Sequence, residues 1–231
     1  MYGACVGRGV CPGRLPYHTV TEKLSGAEES LRRLRRPRSL AVLTLCTHEA
    51  VSRVPVRILG LDPGSQRTGY AIVEADGARV TYVSSGAIRA GGESFAARLQ
   101  EIFAGVDRLT DEFRPDEVAI ERVFMHRNAD SALKLGQARG AALSATFVTR
   151  TDGEQPWSRP KVFEYAPREV KLAVVGTGAA QKDQVQLMVK HLLNIRGSLT
   201  EDASDALAIA LCHAHSRRVR GLAAMAAGAA R

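Results

Sequence analysis

The chain is poor in cysteine, poor in aromatic residues and without a long apolar run. Its four cysteines, Cys5, Cys11, Cys46 and Cys212, are scattered over 231 residues with no zinc-like spacing. That excludes a disulfide framework and suits a reducing compartment. No apolar stretch approaches the roughly 20 residues of a membrane-crossing helix. Residues 39–46, behind the basic run LRRLRRPR, have the order of a signal peptide. Their apolar part is short and no small-residue cleavage site follows, so secretion is not expected. The loop from Gly64 to Gly69 has the glycine spacing of a phosphate-cradling turn, but Tyr70-Ala71 stands where Lys-Ser/Thr is needed. The loop therefore does not grip a nucleotide by that route. The middle of the chain also lacks the positive charge that the whole chain carries. Nine Lys or Arg face four acids in residues 1–53, four Arg face none in 217–231, and 19 face 20 between them. Net charge alone does not make the middle a nucleic-acid binder.

What is present is a core. The apolar fraction of 45% excludes wholesale disorder. Residues 1–53 carry hydrophobics without sustained period and read in three ways: a disordered leader, sequence upstream of a true start near Val54, or a basic DNA-contacting arm. Order begins near Val56. Strands are expected over 58–62, 69–74 and 80–88, with Ala75-Asp76-Gly77 as a hairpin turn. Ser94 reads as the cap of a helix whose Phe95, Leu99, Ile102, Val106, Leu109 and Phe113 recur at helical spacing, ended by Pro115. A fourth strand spans 117–123 and a helix rich in small residues 128–147. After a polar loop with the only tryptophan, Trp157, come a strand over 162–165 and helices over 167–175, 181–193 and 202–216. The order implies one mixed sheet with helices on both faces. Residues 54–216 read as the folded domain and 217–231 as a basic, Ala-rich, disordered tail.

Four acids are conspicuous. Glu121 sits inside an otherwise apolar strand, where an unpaired carboxylate costs several kcal/mol or shifts its pKa. It should have a cation partner, and Arg122, pointing to the opposite face, cannot easily serve. If the strand instead ends near Ile120, Glu121 is simply solvated. Asp62 ends the first strand before Pro63-Gly64, which is also ordinary turn chemistry. Asp202 and Asp205 share one face of the last helix, whose small residues Ala203, Ser204, Ala206 and Ala208 let it lie close on a sheet. Helix capping and the helix dipole account for Asp202 well and for Asp205 only in part. Together the four supply hard oxygen ligands suited to Mg²⁺ or Mn²⁺. Two such ions about 3.5–4 Å apart clamp the attacking and leaving oxygens in phosphodiester hydrolysis.

The blocks LGLDPGSQRTGYAIV, AIERVFMHRNADSALKLGQARGAAL, VFEYAPREVKLAVVGTGAAQKDQVQLMV and DASDALAIALCHAH together resemble the RuvC family of Holliday-junction resolvases, over roughly residues 56–215. The resemblance implies a ribonuclease-H-like fold, α/β with a five-stranded mixed sheet whose first three strands form an antiparallel meander, flanked by helices on both faces. It implies a cytoplasmic, nucleoid-associated homodimer that nicks two opposing strands of a four-way DNA junction, leaving 5′-phosphate and 3′-hydroxyl ends. It also implies a RuvA- and RuvB-type branch-migration motor as partner, and two Mg²⁺ per site, which Mn²⁺ can replace. Asp62, Glu121, Asp202 and Asp205 fall on the family's catalytic carboxylates. Lys171 and Lys182 match family lysines that handle the junction; by residue type they are cations suited to phosphates, or ordinary solvated lysines. Phe124 is a core residue or, by the resemblance, an aromatic that stacks on an unpaired base. The 128–147 helix packs on its own sheet or, by the resemblance, forms the dimer interface. Gly176-Thr177-Gly178 precedes a helix whose N-terminus can receive a phosphate. His126, His213 and His215 read as surface or core histidines, because His213 and His215 do not share a helical face.

Two other functions fit parts of the chain. A sugar-kinase or chaperone-like ATPase also starts with a strand, an aspartate and a glycine hairpin, but needs a longer chain and leaves the Asp202/Asp205 pair unexplained. A non-catalytic junction binder needs no acids in its cleft.

Overall fold

The computed structural model describes residues 54–122, 128–148 and 158–229. Residues 1–53, Phe124, His126 and Trp157, and most of the 152–160 loop, lie outside them. In chain order the elements are β1 (Val56–Asp62), β2 (Arg67–Asp76), β3 (Arg79–Arg89), α1 (Phe95–Phe113), β4 (Glu117–Glu121), α2 (Ala129–Thr146), β5 (Lys161–Tyr165), α3 (Pro167–Val175), α4 (Lys182–Leu192) and α5 (Glu201–Ala229). The five strands form one sheet in the order β3-β2-β1-β4-β5. The first three run antiparallel; β1–β4 and β4–β5 are parallel. This is the mixed sheet expected from the sequence.

Period-two alternation sorts the strand residues between two cores. Ile58, Ala71, Val73 and Ala119 face α3, α4 and α5. Leu59, Leu61, Ile72, Val118 and Ile120 face α1 and α2. The buried stripe of α1, Ile102, Val106 and Leu109, is the one its spacing announced. Ser94 caps that helix by accepting from Ala97 N. The hairpin from β2 to β3 turns at Gly77, whose φ of 58° suits a residue without a Cβ.

Two boundaries differ from expectation. Strand β4 ends at Glu121, so this residue terminates the strand and is half-buried there; Val123 lies outside the described residues. Helix α5 does not stop at Ser216 but runs through the basic residues to Ala229. Its alanines favour helix. Arg217 Nε donates to Glu117 Oε1 at 3.2 Å, and Arg220 lies 5.0 Å from the centre of the Phe163 ring, anchoring the extension to the sheet. Among the described residues no helix is long and apolar enough to cross a membrane.

Candidate active site

All five strands bring one end to the same edge of the sheet. There Asp62 closes β1 and Glu121 closes β4. In the parallel register Leu61 pairs with Ile120, so the next residues in step are Asp62 and Glu121. Alternation puts both on the α5 face, with Gly60 and Ala119 two residues back. Their carboxyl groups are near enough for each to shift the titration of the other.

Helix α5 supplies the other two acids, and glycine sets how closely it approaches. A Cβ on Gly60 would fall 2.4 Å from the carbonyl oxygen of Ala206, and one on Gly69 would fall 2.2 Å from that of Asp202. The helix thus rests on bare backbone of β1 and β2 through Asp202, Ala206 and Ala210. Capping belongs to Thr200, whose Oγ1 accepts from Ala203 N at 3.3 Å. Asp202 is therefore not the cap.

A cavity of about 340 Å³ is lined by Asp62, Glu121, Lys171, Lys182 and Asp205 over a floor that includes Val170 and Val185. Lys171 comes from α3 and Lys182 opens α4. Asp202 does not line this cavity, but its charge acts on Asp62, and Arg67 Nη1 lies 3.8 Å from its Oδ2. The sequence therefore named three acids that line one cavity and a fourth beside it. Lys182 pairs with Glu201 and lies 3.6 Å from Asp205. Glu201 and Arg67 were missed; both are charged neighbours of the named acids, and only the folded geometry makes them partners.

The charges are unevenly compensated. Burial, then the negative charges of Glu121, Asp205 and Asp202, push the Asp62 carboxyl up to about 7. Burial also raises Glu121, although the neighbouring Asp62 carboxyl and the charges of Lys182 and Lys171 oppose it. The expected cation partner of Glu121 is thus another carboxyl, with lysines acting from across the cavity. Burial raises Asp205 against the pull of Lys182. The hydrogen bond to Glu201 raises the Lys182 ammonium against partial desolvation.

A hard divalent cation fits this donor set. The donors are carboxylate oxygens, and the crowding at Asp62 is negative charge that such an ion neutralises. Among the described residues no three acid, histidine or cysteine side chains converge on one point as they stand.

The remaining sequence candidates divide. Gly176 has φ 84° and closes α3 as its left-handed cap. Helix α4 begins only at Lys182, so the glycine pair does not lead directly into it. His213 is fully buried, between Tyr165 Oη at 2.7 Å and Glu117 Oε2 at 2.6 Å. His215 is half-buried, with Nδ1 3.1 Å from the Ala173 carbonyl oxygen. The outer face of α2 exposes Leu133, and a Cβ at Gly136 or Gly140 would meet open space. Phe124 lies outside the described residues.

Comparison with known proteins covers this same region. Residues 58–213 match the family described as crossover junction endodeoxyribonuclease RuvC. The RuvC of Methylococcus capsulatus is 52% identical over 162 residues, 70% of this chain and 92% of that one. The RuvC of Colwellia psychrerythraea is 53% identical over 161 residues, 69% and 87% respectively. Thermus thermophilus RuvC, solved with a Holliday-junction substrate, superposes with a TM-score of 0.62 at 33% identity, covering 71% of this chain and 96% of that one. The yeast mitochondrial Holliday junction resolvase shares the fold, with a TM-score of 0.50 at 13% identity over 69% of this chain and 79% of its own.

Proposed function

The chain belongs to the RuvC family of crossover junction endodeoxyribonucleases and is a Holliday-junction endonuclease; on that footing we propose that Asp62, Glu121, Asp202 and Asp205 hold two Mg²⁺ or Mn²⁺ ions and that residues 54–216 form the nuclease domain. The carrying observation is the Asp62–Glu121 pair at adjacent strand ends, facing Asp205, Lys171 and Lys182 across one cavity.

When bound, the ions supply an activated water for attack on phosphorus and charge to steady the departing 3′ oxygen. The chain's own residues position that chemistry. Strands β1 and β4 fix two carboxylates on a rigid edge, and the glycine-seated α5 fixes the other two. Lys171 and Lys182 attract phosphate to the cavity mouth. The half-buried carboxyls disfavour ionisation without a cation, which couples charging of the site to ion uptake. The products are a 5′-phosphate and a 3′-hydroxyl.

Symmetric nicking of two opposing strands requires two sites related by a two-fold axis. The outer face of α2, with Leu133 two-thirds exposed beside Gly136 and Gly140, supports a homodimer through this helix. Phe124 is proposed to stack on an unpaired base, and a RuvA- and RuvB-type motor is the proposed partner, both from the family.

The test is nicking of a synthetic four-way junction beside linear duplex of the same sequence, with Mg²⁺. Paired nicks in opposing strands of the junction are expected, lost in Asp62→Asn while junction binding persists. Equal cutting of linear duplex would reduce the protein to a general nuclease.

A further inference from the structure

The edge of the sheet that carries the acids also carries two arginines. Arg67 begins β2 and Arg89 ends β3, and they stand directly opposite each other in the antiparallel register. Asp62 pairs with Gly69 on the neighbouring strand, and Arg67 lies two residues from Gly69. Side-chain alternation therefore puts Arg67 and Arg89 on the same face of the sheet as Asp62 and Glu121, two residues beyond the Asp62–Gly69 pair, with Arg89 also bordering a cavity against α1. Like charges directly opposite each other across a strand pair are destabilising. Both arginines are exposed, and among the described residues Arg89 has no ion-pair partner. Among the described residues Arg67 has one ion-pair partner, Asp202, at 3.8 Å and with 63% of the Arg67 side chain exposed. Such a contact is weak and readily exchanged. Two guanidiniums side by side and facing solvent match the oxygens of a phosphodiester backbone. Lys171 and Lys182 flank the acids from α3 and α4, so these arginines are the cations of the opposite, β2–β3 side.

We propose that Arg67 and Arg89 form a phosphate clamp on the β2–β3 side of the active site, and that Arg67 leaves Asp202 for DNA when a divalent ion takes that carboxylate. The inference rests on the nuclease reading and adds to it a coupling between ion loading and substrate grip. Without an ion, Arg67 rests beside Asp202. With one, the same guanidinium is free and the strand crossing the acids is gripped from both sides.

The experiment is junction binding by fluorescence anisotropy, in EDTA and in Ca²⁺, for wild type, Arg67→Ala, Arg89→Ala and Arg67→Lys, each checked for an unchanged melting profile. Calorimetric titration of Ca²⁺ alone provides a second readout. Wild type should bind the junction more tightly in Ca²⁺ than in EDTA. Arg67→Ala should lose most of that gain, bind about 3–10-fold more weakly in Ca²⁺ with a salt slope lower by about one, and bind Ca²⁺ itself more tightly. Arg89→Ala should weaken binding in both conditions, and Arg67→Lys should recover part of the gain. Wild-type-like binding by Arg67→Ala in Ca²⁺, or an intact Ca²⁺ gain, overturns the clamp while leaving the nuclease assignment standing. Failure of wild type to prefer junction over duplex overturns the nuclease reading itself, and the clamp with it.

Discussion

A Cβ on Gly69 would sit 2.2 Å from the carbonyl oxygen of Asp202. Helix α5 therefore presents its first-turn acids where it does because β2 has no side chain at that point. Gly69→Ala must displace either the strand or the helix start. Overpacking of this kind costs about 1–3 kcal/mol, which a urea melt should read as a lowered midpoint. Nicking should fall further than the stability loss explains, because Asp202 and Asp205 move with the helix. A fully folded Gly69→Ala with wild-type nicking would show that the contact does not position the acids.

The sheet and most helices were legible because their signals are local. Ser94 followed by helical spacing announced α1, and apolar runs announced β1 and β4. The acids were legible as unusual residues: Glu121 at the end of an apolar strand, Asp202 and Asp205 three apart on a small-residue helix. What stayed hidden depends on distant partners. Arg67 and Glu201 look like ordinary surface charges until β2 and α4 are brought to α5. The run of α5 past Ser216 was hidden for the same reason, since its anchors, Glu117 and Phe163, lie about a hundred and nearly sixty residues away in sequence. His213 read as a bland core histidine, and nothing in its neighbourhood in the chain announced Tyr165 or Glu117.

The buried Tyr165–His213–Glu117 chain makes acid stability a measurable property. Burial opposes ionisation of Glu117, yet the hydrogen bond and charge of His213, with those of Arg217, hold its carboxyl below the usual range. A depressed folded value contributes stability present above the unfolded pKa of about 4.5 and lost as pH falls through the folded one. Glu117→Gln keeps the shape and removes the charge. It should lower stability by about 1 kcal/mol at pH 7 and flatten the loss below pH 4.5, followed by urea midpoints from pH 7 to 3. An unchanged midpoint at pH 7 would mean that the pairing contributes nothing net.

If α2 joins two protomers, its open face should be intolerant of bulk and charge. Leu133→Asp and Gly140→Lys alter residues that face solvent in the protomer, so each should fold and melt within about 0.5 kcal/mol of wild type as a monomer. Light scattering should show a monomer for either variant and a dimer for wild type. Junction cleavage should then become unpaired, with single nicks replacing concerted ones. Dimeric variants would move the interface elsewhere.

Asp62 links stability to catalysis with opposite signs. Its carboxyl is pushed from the ordinary 3.8 of an aspartate side chain to about 7, first by burial and then by Glu121 and the α5 acids. Between those values the folded, ion-free protein holds a proton that the unfolded chain has released. Stability in EDTA should therefore fall as pH rises from about 4 to 7 and level off above. Asn cannot ionise, so Asp62→Asn should be more stable than wild type at pH 8 in EDTA, by about 1–3 kcal/mol after allowance for the water that reaches the cavity, and no more stable at pH 4. Mg²⁺ should raise the melting temperature of wild type at pH 8 and leave the variant nearly unmoved. Nicking should drop at least ~100-fold in the variant, since a carboxylate that holds the ions is gone. Thermal melts at the two pH values, with and without Mg²⁺, separate these effects. A variant no more stable than wild type at pH 8 in EDTA would mean that the acids are not crowded against one another, and the ion would lose its electrostatic reason to bind there.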